Sequence, residues 1–150
     1  MNQPTGSYYL KDEEKLMGLF SHLSLFLGGI ILPIVFWIIN KDKSKFATFH
    51  ALQALFFHIA YIAVIFVFIF VFAIGGVGIS LLAGLGNHSG GGAAGGLFVI
   101  IMIAFYAFLF IYIFGCMGYA IYMGIKAYQG ELKKYPVIGN MVYNKVYKNY

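Results

Sequence analysis

FATFHALQALFFHIAYIAVIFVFIFVFAIGGVGISLLAGLGNHSGGGAAGGLFVIIMIAFYAFLFIYIFGCMGYAIYMGI, residues 46–125, is the stretch that decides the fold. It contains no lysine, arginine, aspartate or glutamate. Its only ionisable side chains are three histidines, one cysteine and several tyrosines. One crossing of a hydrocarbon layer about 30 Å thick takes about 20 apolar residues at 1.5 Å each. The stretch is therefore long enough for two crossings, and residues 16–39 supply a third apolar run before it.

The pattern predicts an all-α integral membrane protein with three transmembrane helices, near residues 16–39, 49–74 and 97–127. A polar segment, 1–15, precedes the transmembrane domain, 16–130. An uncharged glycine-rich loop, 84–96, joins the last two spans, and a basic tail, 131–150, follows. In the tail Ile138, Met141, Val142 and Val146 fall at helical spacing, which predicts a short C-terminal amphipathic helix lying on a membrane surface or a partner.

Composition agrees. The chain is 61% hydrophobic and only 10% charged, where soluble domains carry about 25% charge. Its ten basic residues are all lysines, so the bidentate anion recognition of arginine is missing. The net charge of +5 does not point to nucleic acid, because the lysines sit in short loops and a tail beside apolar runs, as the positive-inside rule requires. The polar residues 1–10 and the mixed charges of Lys11-Asp12-Glu13-Glu14-Lys15 do not make a signal peptide, so the first run reads as an uncleaved span. A single cysteine, Cys116, excludes an intrachain disulfide and an all-cysteine metal site.

Orientation follows from the lysines. Lys41, Lys43 and Lys45 in one loop, and Lys126, Lys133, Lys134, Lys145 and Lys148 near the C-terminus, belong on the cytoplasmic side of the membrane. Three spans then place the N-terminus outside, and Lys11 and Lys15 with it. The alternative is four segments with both ends inside, one apolar run crossing twice or lying in the interface. Two runs permit this. The first carries Gly28-Gly29 and Pro33 near its middle, which kink a helix. The second, 49–85, would reach about 55 Å as one helix, so a break is expected at Gly75-Gly76 and Gly78.

Polar groups inside lipid are functional candidates by default. They are His22, His50, Gln53 and His58. His58 shares a helix face with Ala47, Ala51 and Ala54, a small-residue stripe where another helix can approach. Gln53 follows His50 by three residues and neighbours it on one face. From their places along the spans, His22 and His58 differ in depth by about 13 Å, a gap that a kink at Pro33 shrinks but does not readily close, and His50 lies further toward the cytoplasm. Shared metal or haem ligation is then excluded by distance. His88 and Asn87 sit in the glycine-rich loop. Cys116, Ala120 and Gly124 recur at four-residue steps, a helix-packing pattern that serves intrachain contacts and homo-oligomers equally.

Catalytic constellations are missing. The carboxylates are Asp12, Glu13, Glu14, Asp42 and Glu131, none within a span, and the glycine clusters lack the phosphate-loop pattern. The chain is expected not to be an enzyme and to need no cofactor.

Several segments in fixed order carry a family resemblance. They are Ser21-His22-Leu23-Ser24, the run Pro33-Ile34-Val35-Phe36-Trp37-Ile38-Ile39, the loop 41–46, Phe49-His50-Ala51-Leu52-Gln53-Ala54-Leu55, and Lys126-Ala127-Tyr128-Gln129-Gly130-Glu131 with Tyr135-Pro136. Over residues 15–137 the chain resembles the Tic-twenty-like family, small prokaryotic membrane proteins related to a subunit of the chloroplast inner-envelope import translocon. The resemblance implies a non-enzymatic helical bundle in the membrane, with four spans and a protein-conducting role in the plastid relatives. His22, His50 and Gln53 match recurrent positions of that family. The expected role is a scaffold or accessory subunit of a membrane complex, with lipids and further copies or other membrane subunits as partners. A channel or transport component acting as an oligomer is the alternative, and a histidine-based haem or metal binder the third reading.

Overall fold

The computed structural model describes residues 9–27, 29–85 and 91–148. All regular elements among them are helical: α1 (Asp12–Leu23), a short 3-10 turn (Ser24–Phe26), α2 (Ile31–Asn40), α3 (Lys45–Leu85), α4 (Gly91–Tyr128) and α5 (Ile138–Tyr147). The helices divide between two compact units, Met1–Ile59 with Met117–Tyr150, and Ala60–Cys116.

The second unit is a two-legged hairpin taken from α3 and α4. Its aromatic pairs stack, Tyr61 on Tyr112, Phe68 on Phe108 and Phe72 on Phe105, with centroids 5.7, 4.6 and 4.1 Å apart. One index rises as the other falls, so the legs run antiparallel. The outward faces are equally apolar: Phe66, Phe70, Ile103 and Ile111 are all more than 60% exposed. Two segments, Lys45–Gly76 and Gly96–Tyr128, each contain an 18-residue window of mean hydropathy 2.8, of which 6% and 0% of the residues are buried. A core helix of a water-soluble protein hides such surface beneath its own chain. These windows do not, and both helices are long and apolar enough to cross a membrane.

The expected break at Gly75-Gly76 and Gly78 is absent, and α3 runs unbroken for 41 residues. A helical glycine costs about 1 kcal/mol against alanine. Unmade backbone hydrogen bonds in apolar surroundings cost several each, so the helix persists. The expected loop 84–96 also shortens: residues 84–85 end α3, residues 91–96 begin α4, and Asn87 and His88 lie outside the described residues.

The expected first span is corrected most. Residues 16–39 form two short helices rather than one, of 12 and 10 residues in α1 and α2, neither long enough to cross. Local chemistry breaks the run. The Ser24 hydroxyl donates to the Ser21 carbonyl at 2.7 Å and toward the Gly29 carbonyl at 3.1 Å. Gly29 takes φ +65, where a Cβ is strained, and its N–H returns to Ser24 O at 2.8 Å. Pro33 falls in the first turn of α2, where no N–H is required. The Asn40 amide then ties α2 back to α1 through Met17 Sδ at 3.0 Å.

Capping fixes the ends. Glu14 accepts the Lys11 N–H at 2.8 Å, and three acids in the first turn of α1 complement its dipole. The Ser44 hydroxyl accepts the Ala47 N–H at 3.1 Å and caps α3.

The core of the first unit is Phe49, Leu52, Val142 and Val146, with Trp37, Phe56, Ile138, Tyr143 and Tyr147 packed around it. The amphipathic α5 therefore buries its apolar stripe on α3 of its own chain, not on a membrane surface. Met141 stays outside, 51% exposed. Two glycines let α1 approach closely. A Cβ on Gly18 would stand 3.0 Å from Ala127 Cβ, and one on Gly124 would stand 3.1 Å from Leu19 Cδ1.

Candidate functional site

His22, His50, Gln53 and His58 are all fully buried in the first unit, as are Ala47, Ala51 and Ala54 on the same stretch of α3. The histidines are not spread in depth. His22 Nε2 lies 3.1 Å from His50 Nδ1. The 13 Å separation holds for a first run that crosses as one span. Because the run breaks at 24–30, the end of α1 comes level with the first turns of α3.

The partners dictate every proton. His50 Nε2 is 3.1 Å from the Glu131 carbonyl. A carbonyl only accepts, so His50 Nε2 carries the hydrogen and Nδ1 holds a lone pair. His22 Nε2–H therefore donates to His50 Nδ1, which leaves His22 Nδ1 as an acceptor. Tyr135 Oη stands 3.2 Å from that nitrogen and donates to it. The result is one directed chain from Tyr135 through His22 and His50 to the Glu131 carbonyl, with both imidazoles neutral. Burial, reinforced by His50 and His58, holds His22 well below the ordinary imidazole pKa.

Gln53 works beside this chain. Its amide donates to the Lys133 carbonyl at 3.0 Å and accepts the Tyr135 N–H at 2.9 Å. One turn of α3 thus presents His50 and Gln53 to alternate residues of the extended tail and replaces a neighbouring strand. Tyr135 is clamped by its ring as well, stacked on Phe57 at 4.4 Å and edge-on to Tyr119 at 5.1 Å. His58 stands apart from the chain. Its Nδ1–H donates to Gly29 O at 3.0 Å, pinning the break in the first run. Its Nε2 is buried, and no described residue meets it in a well-formed hydrogen bond.

The tail approaches this closely because of two backbone features. Val137 has φ 62 and ψ −63, and Ile138 N donates to Pro136 O at 2.7 Å, which is a γ-turn of the strained hand. Gly139 follows it, with no room for a side chain: a Cβ there would lie 2.7 Å from Gln53 Oε1 and 2.8 Å from Lys134 Cα.

Ala120 is fully buried. Gly124 faces Leu19 and His22 of the same chain. Cys116 is a half-buried free thiol in the second unit. Among the described residues no three histidine, cysteine, aspartate or glutamate side chains group to hold a metal ion. Tyr135, Ser24 and Gly139 are structural members of the site that the sequence reading did not single out as such. The available signal was indirect: buried imidazoles without acids in the spans need neutral partners, and the tail supplies them.

The chemistry of this arrangement is cohesive. Apart from His58 Nε2, the side-chain donors and acceptors of His22, His50, Gln53 and Tyr135 described above are met by the protein's own chain. The family model that matches is that of the magnetosome magnetite crystal formation proteins, MamF/MmsF, over residues 13–142. This corrects the Tic-twenty-like resemblance, and the translocon relationship falls with it. No curated protein and no solved structure matches the chain.

Proposed function

The chain belongs to the magnetosome magnetite crystal formation family, and on that premise we propose that it is a multi-pass accessory protein of the magnetosome membrane that acts on magnetite growth without catalysing a reaction. The observation that carries this reading is the family match across 130 of 150 residues. The family is one of magnetosome formation and not a known enzyme family.

The topology we propose has two crossings. Residues 60–85 and 91–116, 26 residues each, reach about 39 Å apiece as helices and carry no charge. All ten lysines and all five acids fall in Met1–Ile59 and Met117–Tyr150. With α1 and α2 as a non-crossing hairpin, both termini and every lysine share the cytoplasmic side. The positive-inside rule then holds without the exception that three spans impose on Lys11 and Lys15. The exposed Ile31, Val35 and Ile38 of α2 support a hairpin embedded in the interface. In this reading His22, His50, Gln53 and His58 organise that end of the molecule. Lipids and other membrane subunits, or further copies of the chain, are the partners.

Deletion of the gene in a magnetite-forming host tests the role. Crystals measured by electron microscopy should become smaller or misshapen and recover with the full chain supplied in trans. Crystals of unchanged size and habit after deletion would overturn it.

A further inference from the structure

A half-open cavity of about 880 Å³ lies within the first unit, between Leu10, the loop 41–45, the start of α3 and the end of α5. Its size suits a small-molecule site. Its lining residues are of two kinds. One set is Lys41, Lys43, Lys45 and Lys145 against a single acid, Asp42, a formal charge of +3. The other is apolar: Trp37, Phe46, Leu52, Val146 and Tyr147. The N-terminus of the 41-residue α3 opens on it, so the positive end of a long dipole adds to the lysines. Thr48 also lines it. The residue is only 6% exposed, and its hydroxyl has no hydrogen-bond partner among the described residues.

We propose that this cavity binds one anionic glycerophospholipid, its phosphate among Lys41, Lys43 and Lys145 and the first carbons of its chains on Trp37, Leu52 and Val146. A free anion has no use for the apolar set. A zwitterionic headgroup meets only one acid, Asp42, for its cation. Lysine suits the task, since its ammonium is a point charge on a long apolar stem and needs no fixed fork geometry. Basic pockets on the cytoplasmic side of membrane helices are the usual receivers of such headgroups.

Trp37 is the chain's only tryptophan and lines the cavity, so it reports occupancy directly. The full chain in detergent micelles is titrated with brominated phosphatidylglycerol or brominated phosphatidylcholine, whose bromines quench indole emission on contact. The anionic lipid should reach half-quenching at a mole fraction lower by about tenfold or more. The combined Lys41→Gln, Lys43→Gln and Lys145→Gln variant should bring the two lipids level. Should the triple variant fail to fold, Lys145→Gln alone at its exposed position reads the same ratio. Equal quenching by the two lipids in the wild type, or a preference that survives loss of the lysines, overturns the proposal. Reversal of the quenching by millimolar inorganic phosphate identifies a free-anion site and overturns the lipid assignment.

Discussion

Gly139→Ala isolates what holds the tail to the helices. In an open helix this substitution stabilises by up to about 1 kcal/mol, because alanine loses less backbone entropy. At Gly139 the added methyl meets Gln53 Oε1 at 2.7 Å and Lys134 Cα at 2.8 Å. The second neighbour is backbone and cannot swing away. Relief must come from displacing Gln53 or lifting the first turn of α5. Displacing Gln53 breaks its bonds to Lys133 O and Tyr135 N, each worth about 1 kcal/mol. Overpacking of a tight site adds about 1–3 kcal/mol. After the propensity gain the net loss is about 2–4 kcal/mol. At about 2–4 °C per kcal/mol for a chain of 150 residues, the melting temperature should fall by roughly 5–15 °C. Thermal unfolding of the full chain in detergent, followed by far-UV circular dichroism and Trp37 emission, reads the shift. Gly118→Ala is the control, since nothing lies within 4 Å of a Cβ there, and it should leave stability level or slightly raised. A Gly139→Ala protein as stable as wild type would refute the packing of the tail against Gln53.

Tyr135→Phe keeps the stack on Phe57 but removes the donor to His22 Nδ1, leaving a buried lone pair unpaired; a loss of about 1–3 kcal/mol is expected in the same melt. Val137→Gly removes a strained φ of 62 from a β-branched residue that is exposed and makes no buried contact. It should raise stability by about 1 kcal/mol, less than the 1–3 kcal/mol stored because glycine also frees the unfolded chain; a lower melting temperature would count against the γ-turn. Acid should destabilise the first unit. The folded-state pKa of His22 is lowered by burial, so its contribution is complete above about pH 6.5 and is lost as pH falls, at up to about 1.4 kcal/mol per unit. Melting temperatures that match at pH 8 and pH 5 would contradict a neutral buried imidazole.

Hydropathy made the two long apolar helices legible, because residues 46–125 carry no lysine, arginine, aspartate or glutamate. It also marked α5, whose Ile138, Val142 and Val146 spacing the structure retains. What hydropathy could not show was where a run of apolar residues stops being one helix. Residues 16–39 satisfy every length criterion for a span, yet one hydroxyl at Ser24 and one positive φ at Gly29 turn the chain. Those are local hydrogen-bond facts to which an averaged scale is blind. The site followed the same course. His22, His50, Gln53 and His58 stood out because polarity inside an apolar run is conspicuous. Their partners did not, because Glu131 and Lys133 take part through backbone carbonyls, which every residue possesses. Tyr135 was hidden among many tyrosines, and only its position beside Pro136 and the γ-turn brings its hydroxyl to His22.

The directed chain from Tyr135 to His22 joins residues 113 positions apart, and Gln53 reaches the tail across 82. During synthesis the N-terminal histidines are made first and wait, unpaired, while both long helices emerge. Nothing earlier in the chain supplies Tyr135's hydroxyl or the carbonyls of Glu131 and Lys133. The first unit therefore closes only after residues 131–135 have left the ribosome, and until then the chain from Tyr135 through His22 and His50 to the Glu131 carbonyl cannot form.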